Sequence, residues 1–375
     1  MLRNYRLRDY DFKLILFVLA TSAIGVLAIG SAKESLQNKQ LAGVVVGVIL
    51  MIGISLMDYH WILKFYWLMY AGNLVLLSAV ILTSAGDDAG GAQRWLEFGS
   101  LRFQPSETAK IILILFFAQF IMKHREKLNS FRIIVSCLVL IAIPAAMIYK
   151  QPDMSTTIMV LVIFCVAMFV GGLSYKIILS VLAVLIPCML IIINLAVQPD
   201  SILIEKEIIK QYQQNRILSF LNPEEYQDKE AYQQINSITA IGSGQLNGKG
   251  YKTNEISSVK NGNYISEPQT DFIFAVIGEE FGFKGSCVVV GLLVLISLEC
   301  FAVAAKAKDT AGAIIAAGMG GLIIFQSFIN LGVVTFILPN TGLTLPFISY
   351  GLTSLVSLFI GMGFVLNVRL QCKKN

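Results

Sequence analysis

Charge is what this sequence has least of. Only 14% of its 375 residues are Asp, Glu, Lys or Arg, while 56% are hydrophobic; a soluble globular chain carries about 25% charged residues. The shortage excludes an ordinary water-soluble domain and points to a chain that crosses a membrane many times. Histidine is nearly absent, with only His60 and His124, which argues against a His-based metal centre. The six cysteines form no framework: Cys137, Cys165, Cys188, Cys287 and Cys300 lie inside apolar runs and Cys372 in the C-terminal tail, so no disulfide set is visible. No Walker loop and no dinucleotide fingerprint occurs, so nothing suggests a nucleotide or organic cofactor. A net charge of +5 is too small to suggest nucleic acid. No cleavable signal is seen either, because the first apolar run continues to about Ile29 without a small-residue cleavage site.

What is abundant is apolar runs. A helical span needs roughly 20 such residues, and the runs predict an all-α polytopic protein with ten spans. These lie at about 14–31, 41–57, 61–83, 107–122, 132–149, 155–172, 177–197, 285–304, 311–338 and 345–367. An even count puts both termini on one side. The positive-inside rule makes that side the cytoplasm, since the inner segments then collect Arg3, Arg6, Arg8, Lys13, Lys64, Lys123, Arg125, Lys127, Arg132, Lys176, Lys306, Lys308 and Arg369. Two outer loops follow from this topology. The first, about 84–106, is glycine-rich and holds Arg94 and Trp95. The second, about 198–270, contains two helix-like pieces, Ile204 to Leu221 and Tyr232 to Ile241, and a glycine-punctuated run, Gly242 to Gly250. A loop of that length is usually functional. No separate soluble domain is visible, so residues 1–375 read as one membrane domain.

Polar residues inside or beside such runs need a reason. Glu107 and Lys110 open the fourth span three residues apart and share a helical face. They read either as a self-neutralising pair, with Ser106 as the helix cap, or as a cation in a polar cavity that meets an anionic ligand. Asp153 fits a cap of the sixth span. Gln326 and Asn330, four residues apart in the ninth, fit interhelical hydrogen bonding. Trp95 suits an interfacial belt, or a platform for a sugar face beside the Arg94 cation. Arg216 and Lys249 are ordinary solvated loop charges, or anion contacts with glycine N–H groups near Lys249.

Asp271 stands apart. It sits where the long polar segment gives way to Phe272-Ile-Phe-Ala-Val-Ile277. It could cap the following helix. A carboxylate at such a boundary also has its ionised form disfavoured and is suited to act as a general base towards a hydroxyl. Glu279 and Glu280 nearby fit metal binding, pairing with basic residues, or a helix break.

Taken together, Gly91-Ala-Gln-Arg-Trp95, Gln104-Pro-Ser-Glu-Thr-Ala-Lys110, Gln151-Pro-Asp153, Asn215-Arg-Ile-Leu-Ser-Phe-Leu-Asn-Pro223, Gly248-Lys-Gly250, Thr270 to Phe283 and Leu338 to Gly351 resemble, in order and along nearly the whole chain, the SEDS proteins (RodA, FtsW and SpoVE). The resemblance implies a ten-span peptidoglycan glycosyltransferase that polymerises lipid II on the outer face of the bacterial cytoplasmic membrane, in elongation or division. The short N-terminus leans to the RodA side. Carried over position by position, the family's essential loop aspartate is Asp271, its arginine and tryptophan are Arg94 and Trp95, and its buried acid–base pair is Glu107 and Lys110. A single-pass class B penicillin-binding protein is the implied partner and a divalent cation, Mg or Mn, the implied aid to a diphosphate leaving group; the metal ligands are unknown. The chain departs from the usual pattern at Gln269, where histidine is common, and at Phe336, where glycine is. Two other functions fit the same spans: a lipid II flippase working through Glu107 and Lys110, and a non-catalytic scaffold for the penicillin-binding protein.

Overall fold

A computed structural model describes residues 10–82, 94–98, 101–198, 211–226, 231–253 and 264–372, with positions 204, 209, 258 and 262 besides. Most of the first predicted outer loop, parts of the second and the basic residues at both extreme termini lie outside this set.

The apolar runs fold as helices whose ends are set by polar caps. Helix α1 (Phe12–Ala32) is capped by Asp11, whose side chain accepts from the Leu14 N–H at 3.1 Å. Lys33 alone separates it from α2 (Glu34–Leu56), which starts ahead of its apolar run because Glu34 favours a helix N-terminus. The third predicted span is broken into α3 (Tyr59–Leu63) and α4 (Tyr66–Leu82). A small antiparallel hairpin, β1 (Leu96–Phe98) and β2 (Leu101–Phe103), follows; it pairs Glu97 with Arg102 and leads directly into α5 (Pro105–Lys123). Here the expected cap is corrected. Gln104 occupies the cap position and Pro105 the first turn, a place where proline's missing N–H costs nothing, and Ser106 is freed to bond elsewhere.

Helices α6 (Phe131–Lys150), α7 (Met154–Gly171) and α8 (Tyr175–Val197) come next, and Gly172 ends α7 in the left-handed region at φ 101°. The second long loop contains α9 (Gln211–Leu221) and α10 (Tyr232–Ser243). Then come α11 (Ile273–Ala305), α12 (Thr310–Val334) and α13 (Leu352–Leu370). Among the described residues, eight helices are long and apolar enough to cross a membrane: α1, α2, α5, α6, α7, α11, α12 and α13. Helix α4 is shorter, at 17 residues, and α8 occupies the place of the seventh predicted span. Burial is uneven. Most of α5, α12 and α13 is enclosed by protein, whereas α2 and α6 leave most of their length at the surface. The bundle interior therefore lies where α5, α12 and α13 meet, and Lys110, Gln326 and Asn330 are all in it.

Helix α11 is kinked at Gly282 (φ 64°, ψ −161°), and the glycine run explains how. Lys249 N–H donates to the Glu279 carbonyl at 2.9 Å and Gly250 N–H to the Glu280 carbonyl at 3.0 Å. In return, Phe283 and Lys284 N–H groups donate to Gln245 and Leu246 carbonyls at 2.8 and 3.3 Å. Each of these eight groups would find its partner four residues away in an uninterrupted helix. The loop and the helix thus exchange helical hydrogen bonds, and backbone must touch backbone. A Cβ at Gly248 (φ 80°) would collide with the Glu280 carbonyl. Gly248→Ala is expected to lower the melting temperature of the detergent-solubilised protein by several degrees, through about 1–3 kcal/mol of backbone strain and lost docking. Gly72→Ala, at a position open to 4 Å, is expected to leave it unchanged, and equal melting of the two variants would refute this account.

Candidate active site

Asp271 lies in the turn before α11. Phe272 holds the cap position without a side-chain cap bond, so the capping role is not the one the carboxylate fulfils. Its backbone is gripped instead. The Asn330 amide in α12 donates to the Asp271 carbonyl at 2.7 Å and to the Leu343 carbonyl at 2.6 Å. Leu343 belongs to the irregular segment between α12 and α13. Tyr350 N–H, from the same segment, donates to the Gln269 carbonyl at 2.9 Å. Gly342, at φ 78°, lies so close that a Cβ there would stand 3.4 Å from Asp271 Oδ2.

The carboxyl of Asp271 is pushed up to about 6, first by burial. The Arg216 and Arg94 cations oppose that shift, and the Glu267 and Asp153 charges reinforce it. A group with that value is mostly ionised at neutral pH yet basic enough to take a proton.

The neighbouring groups are fixed from α5 and α7. Asp153 caps α7 through the Thr156 N–H at 3.2 Å, and its second oxygen accepts from Ser106 Oγ at 3.2 Å and Gln104 Nε2 at 3.3 Å. Arg94 donates through Nη2 to the Pro152 carbonyl, one residue before that cap. Ser155 Oγ in turn donates to the Thr341 carbonyl, tying α7 to the segment that flanks Asp271. Trp95 is partly buried just ahead of β1.

Two of the predicted cations are placed elsewhere. Lys110 is almost fully buried, and its ammonium donates to Glu107 Oε1 at 2.9 Å and Gln326 Oε1 at 3.0 Å. The Gln326 amide continues to the Thr344 carbonyl at 2.9 Å. The pair is therefore linked to the Asp271 surroundings through protein, by way of the 335–351 segment. Lys249 forms an ion pair with Glu279 at 2.9 Å, and Ser31 Oγ donates to Glu280. Glu279 stands eight residues beyond Asp271, about 12 Å along a helix at roughly 1.5 Å per residue. The two glutamates thus brace the kinked start of α11.

A family model described as cell cycle protein, FtsW/RodA/SpoVE, matches residues 10–374. The chain belongs to the FtsW/RodA/SpoVE family. It is 31% identical to the probable peptidoglycan glycosyltransferase FtsW of Geobacter metallireducens, over 97% of this chain and 96% of the relative. It is 32% identical to the peptidoglycan glycosyltransferase MrdB of Escherichia coli K12, over 97% and 94%. Among solved structures, it resembles a chain from a study of the structural coordination of polymerisation and crosslinking by a peptidoglycan synthase complex, with a TM-score of 0.76, 28% identity, and 96% and 97% of the two chains covered. The crystal structure of Thermus thermophilus rod shape determining protein RodA gives a TM-score of 0.69 at 26% identity, covering 98% of each chain.

For this FtsW/RodA/SpoVE member the structure gathers the charges of Asp271, Arg94, Arg216, Asp153 and Glu267. It sets Glu107 and Lys110 behind them and Lys249 along α11. Sequence reasoning treated Asn330 and Gln326 as packing partners and overlooked Gly342. The available signal was the amide pair itself, two side-chain amides one turn apart in a mostly apolar helix.

Among the described residues no three His, Cys, Asp or Glu side chains come together as metal ligands. Of the carboxylates acting on Asp271, Asp153 already serves as a cap and as acceptor for Ser106.

Proposed function

We propose that this chain is a peptidoglycan glycosyltransferase that polymerises lipid II at the outer face of the cytoplasmic membrane, with Asp271 as general base. The observation that carries the reading is the partly buried Asp271 carboxyl, pushed up to about 6, with the charges of Arg216 and Arg94 acting on it. Asp271 takes the proton from the 4-hydroxyl of the acceptor GlcNAc. The freed oxygen forms a bond to C1 of the donor MurNAc, the C1–phosphate oxygen bond breaks with inversion, and undecaprenyl diphosphate leaves with the bond's electron pair. Arg94 and Arg216 meet the negative charge that builds on the departing diphosphate, the place where electrostatic help is worth most. The excess of Lys and Arg on the opposite side supports the outer-face assignment, with both termini in the cytoplasm. Similarity to a chain of a peptidoglycan synthase complex supports a membrane-anchored class B penicillin-binding protein as partner.

Purified protein given lipid II in detergent is expected to make glycan strands and release undecaprenyl diphosphate. A flippase, the second reading of the buried Glu107–Lys110 pair, would make none, because moving lipid II across a membrane forms no glycosidic bond. Arg216→Gln is expected to lower kcat about 10- to 100-fold. It is also expected to raise the pH midpoint of the acid limb, since Arg216 is the cation that most lowers the Asp271 value. An unchanged midpoint would remove Arg216 from the site.

A further inference from the structure

Asn330 lies in the bundle interior, 1% exposed, and both of its amide bonds go to carbonyl oxygens. One carbonyl belongs to Asp271, the other to Leu343, next to the glycine that lies against Asp271 Oδ2. The orientation of the amide is settled by chemistry. Turning Oδ1 towards two carbonyls would set three acceptors against each other, so only the NH2 group satisfies both. Oδ1 is left without a hydrogen-bond partner among the described residues, a cost of about 1–3 kcal/mol for a buried acceptor. A residue kept only for packing would be better replaced by an apolar one of similar volume. No backbone hydrogen bond joins Asp271 to the 335–351 segment among the described residues, and the Tyr350–Gln269 bond lies two residues away. One side chain therefore joins the two walls around the carboxylate.

We infer that Asn330 is a positioning residue for glycosyl transfer, which fixes the Asp271 backbone and holds the Gly342–Leu343 wall against its carboxylate. The inference rests on Asp271 being the base. The backbone grip sets the direction in which Cβ leaves the chain, so it aims the side chain without touching it. The wall limits water at Oδ2. The groups that then determine the charge of Asp271 are the two arginines from the outer loops, Arg94 and Arg216, together with Glu267 and Asp153. Loss of the amide leaves these four in place and changes only aim and solvation. Gln326, one turn earlier, holds Thr344 in the same segment but does not reach Asp271, so it makes an internal comparison.

The test uses full-length protein with lipid II, measuring kcat, KM, the pH midpoint of kcat and the melting temperature for Asn330→Ala and Asn330→Ser. The alanine variant is expected to lose about 10- to 100-fold in kcat with KM within about threefold, the range set by an oriented catalytic group losing its aim. Its pH midpoint is expected to move down from about 6 towards the ordinary carboxylate range as water reaches Oδ2. Serine, with one donor, is expected to recover part of both. A lower melting temperature with wild-type kcat and midpoint would overturn the inference, leaving Asn330 structural. The serine variant keeps the test open if alanine fails to fold, because the midpoint is read on whichever variant is monodisperse. Asp271→Asn measured alongside separates the two levels. If that variant polymerises at the wild-type rate, the base assignment fails; if it is inactive while Asn330→Ala and Asn330→Ser both behave as wild type, only the positioning role fails.

Discussion

Asp271→Asn protein, purified and monodisperse, is expected to polymerise lipid II about 10²–10⁴-fold more slowly than wild type, the range that general-base help supplies. The amide is nearly isosteric and keeps the turn, but it has no lone pair basic enough to take a hydroxyl proton. The rate of the wild-type enzyme should fall as pH drops through about 6, where burial holds the carboxyl, and the asparagine variant should lack that limb. Stability is expected to move in the opposite sense. A carboxyl raised above its unfolded value contributes stability that is complete below about pH 4 and is lost as pH rises through about 6. The shift corresponds to at most about 3 kcal/mol. At pH 7.5 the asparagine variant should therefore melt above wild type, while at pH 4 the two should converge. A variant that melts lower at pH 7.5 would show that the arginine charges outweigh burial at this carboxyl. Full activity in the same variant would end its role as the base.

Much of this arrangement was legible in the residues, for reasons that differ from one element to the next. The all-helical character of the chain followed from its apolar runs, because a membrane leaves a spanning segment few other ways to satisfy its backbone. The pieces α9 and α10 were visible within the second loop because each ends at a glycine- or proline-marked stop. Asp271 stood out by position, since a carboxylate at a water–lipid boundary needs a reason. The exchange of hydrogen bonds between residues 245–250 and 279–284 was not legible. It joins segments some 30 residues apart, and each half looks like an ordinary turn or helix alone. Helix α11 therefore starts at Ile273, ahead of the predicted span at 285, and carries its kink at Gly282. Lys249 looked available to an anion for the same reason: its partner Glu279 becomes a neighbour only when the glycine run docks. Asn330 was visible as a costly amide, but its partner could not be read, because backbone carbonyls have no sequence signature.

The second large effect is expected at Glu107 and Lys110. The pair is almost entirely enclosed, with side chains 8% and 2% exposed, in the part of the bundle where α5, α12 and α13 meet. Removing one partner leaves a charge in the interior, at about 3–5 kcal/mol. Lys110→Met and Glu107→Gln should each lose most folded protein in detergent or melt far below wild type. Replacing both, as Glu107→Gln/Lys110→Met, should recover most of that loss, because no uncompensated charge remains. Activity is expected to follow a different course. Gln326 Oε1 loses its ammonium donor in the double variant, so the amide that holds Thr344 beside the Asp271 wall is no longer pinned from behind. The double variant should thus be stable yet about tenfold slower, with KM for lipid II close to wild type. A large rise in KM would instead show Lys110 meeting the diphosphate. Single variants that fold and melt like wild type would show that the interior here is wet enough to solvate either charge. The outcome separates two roles that a buried lysine can have in such a protein: a hand on the substrate, or a fixed point from which the wall around the base is built.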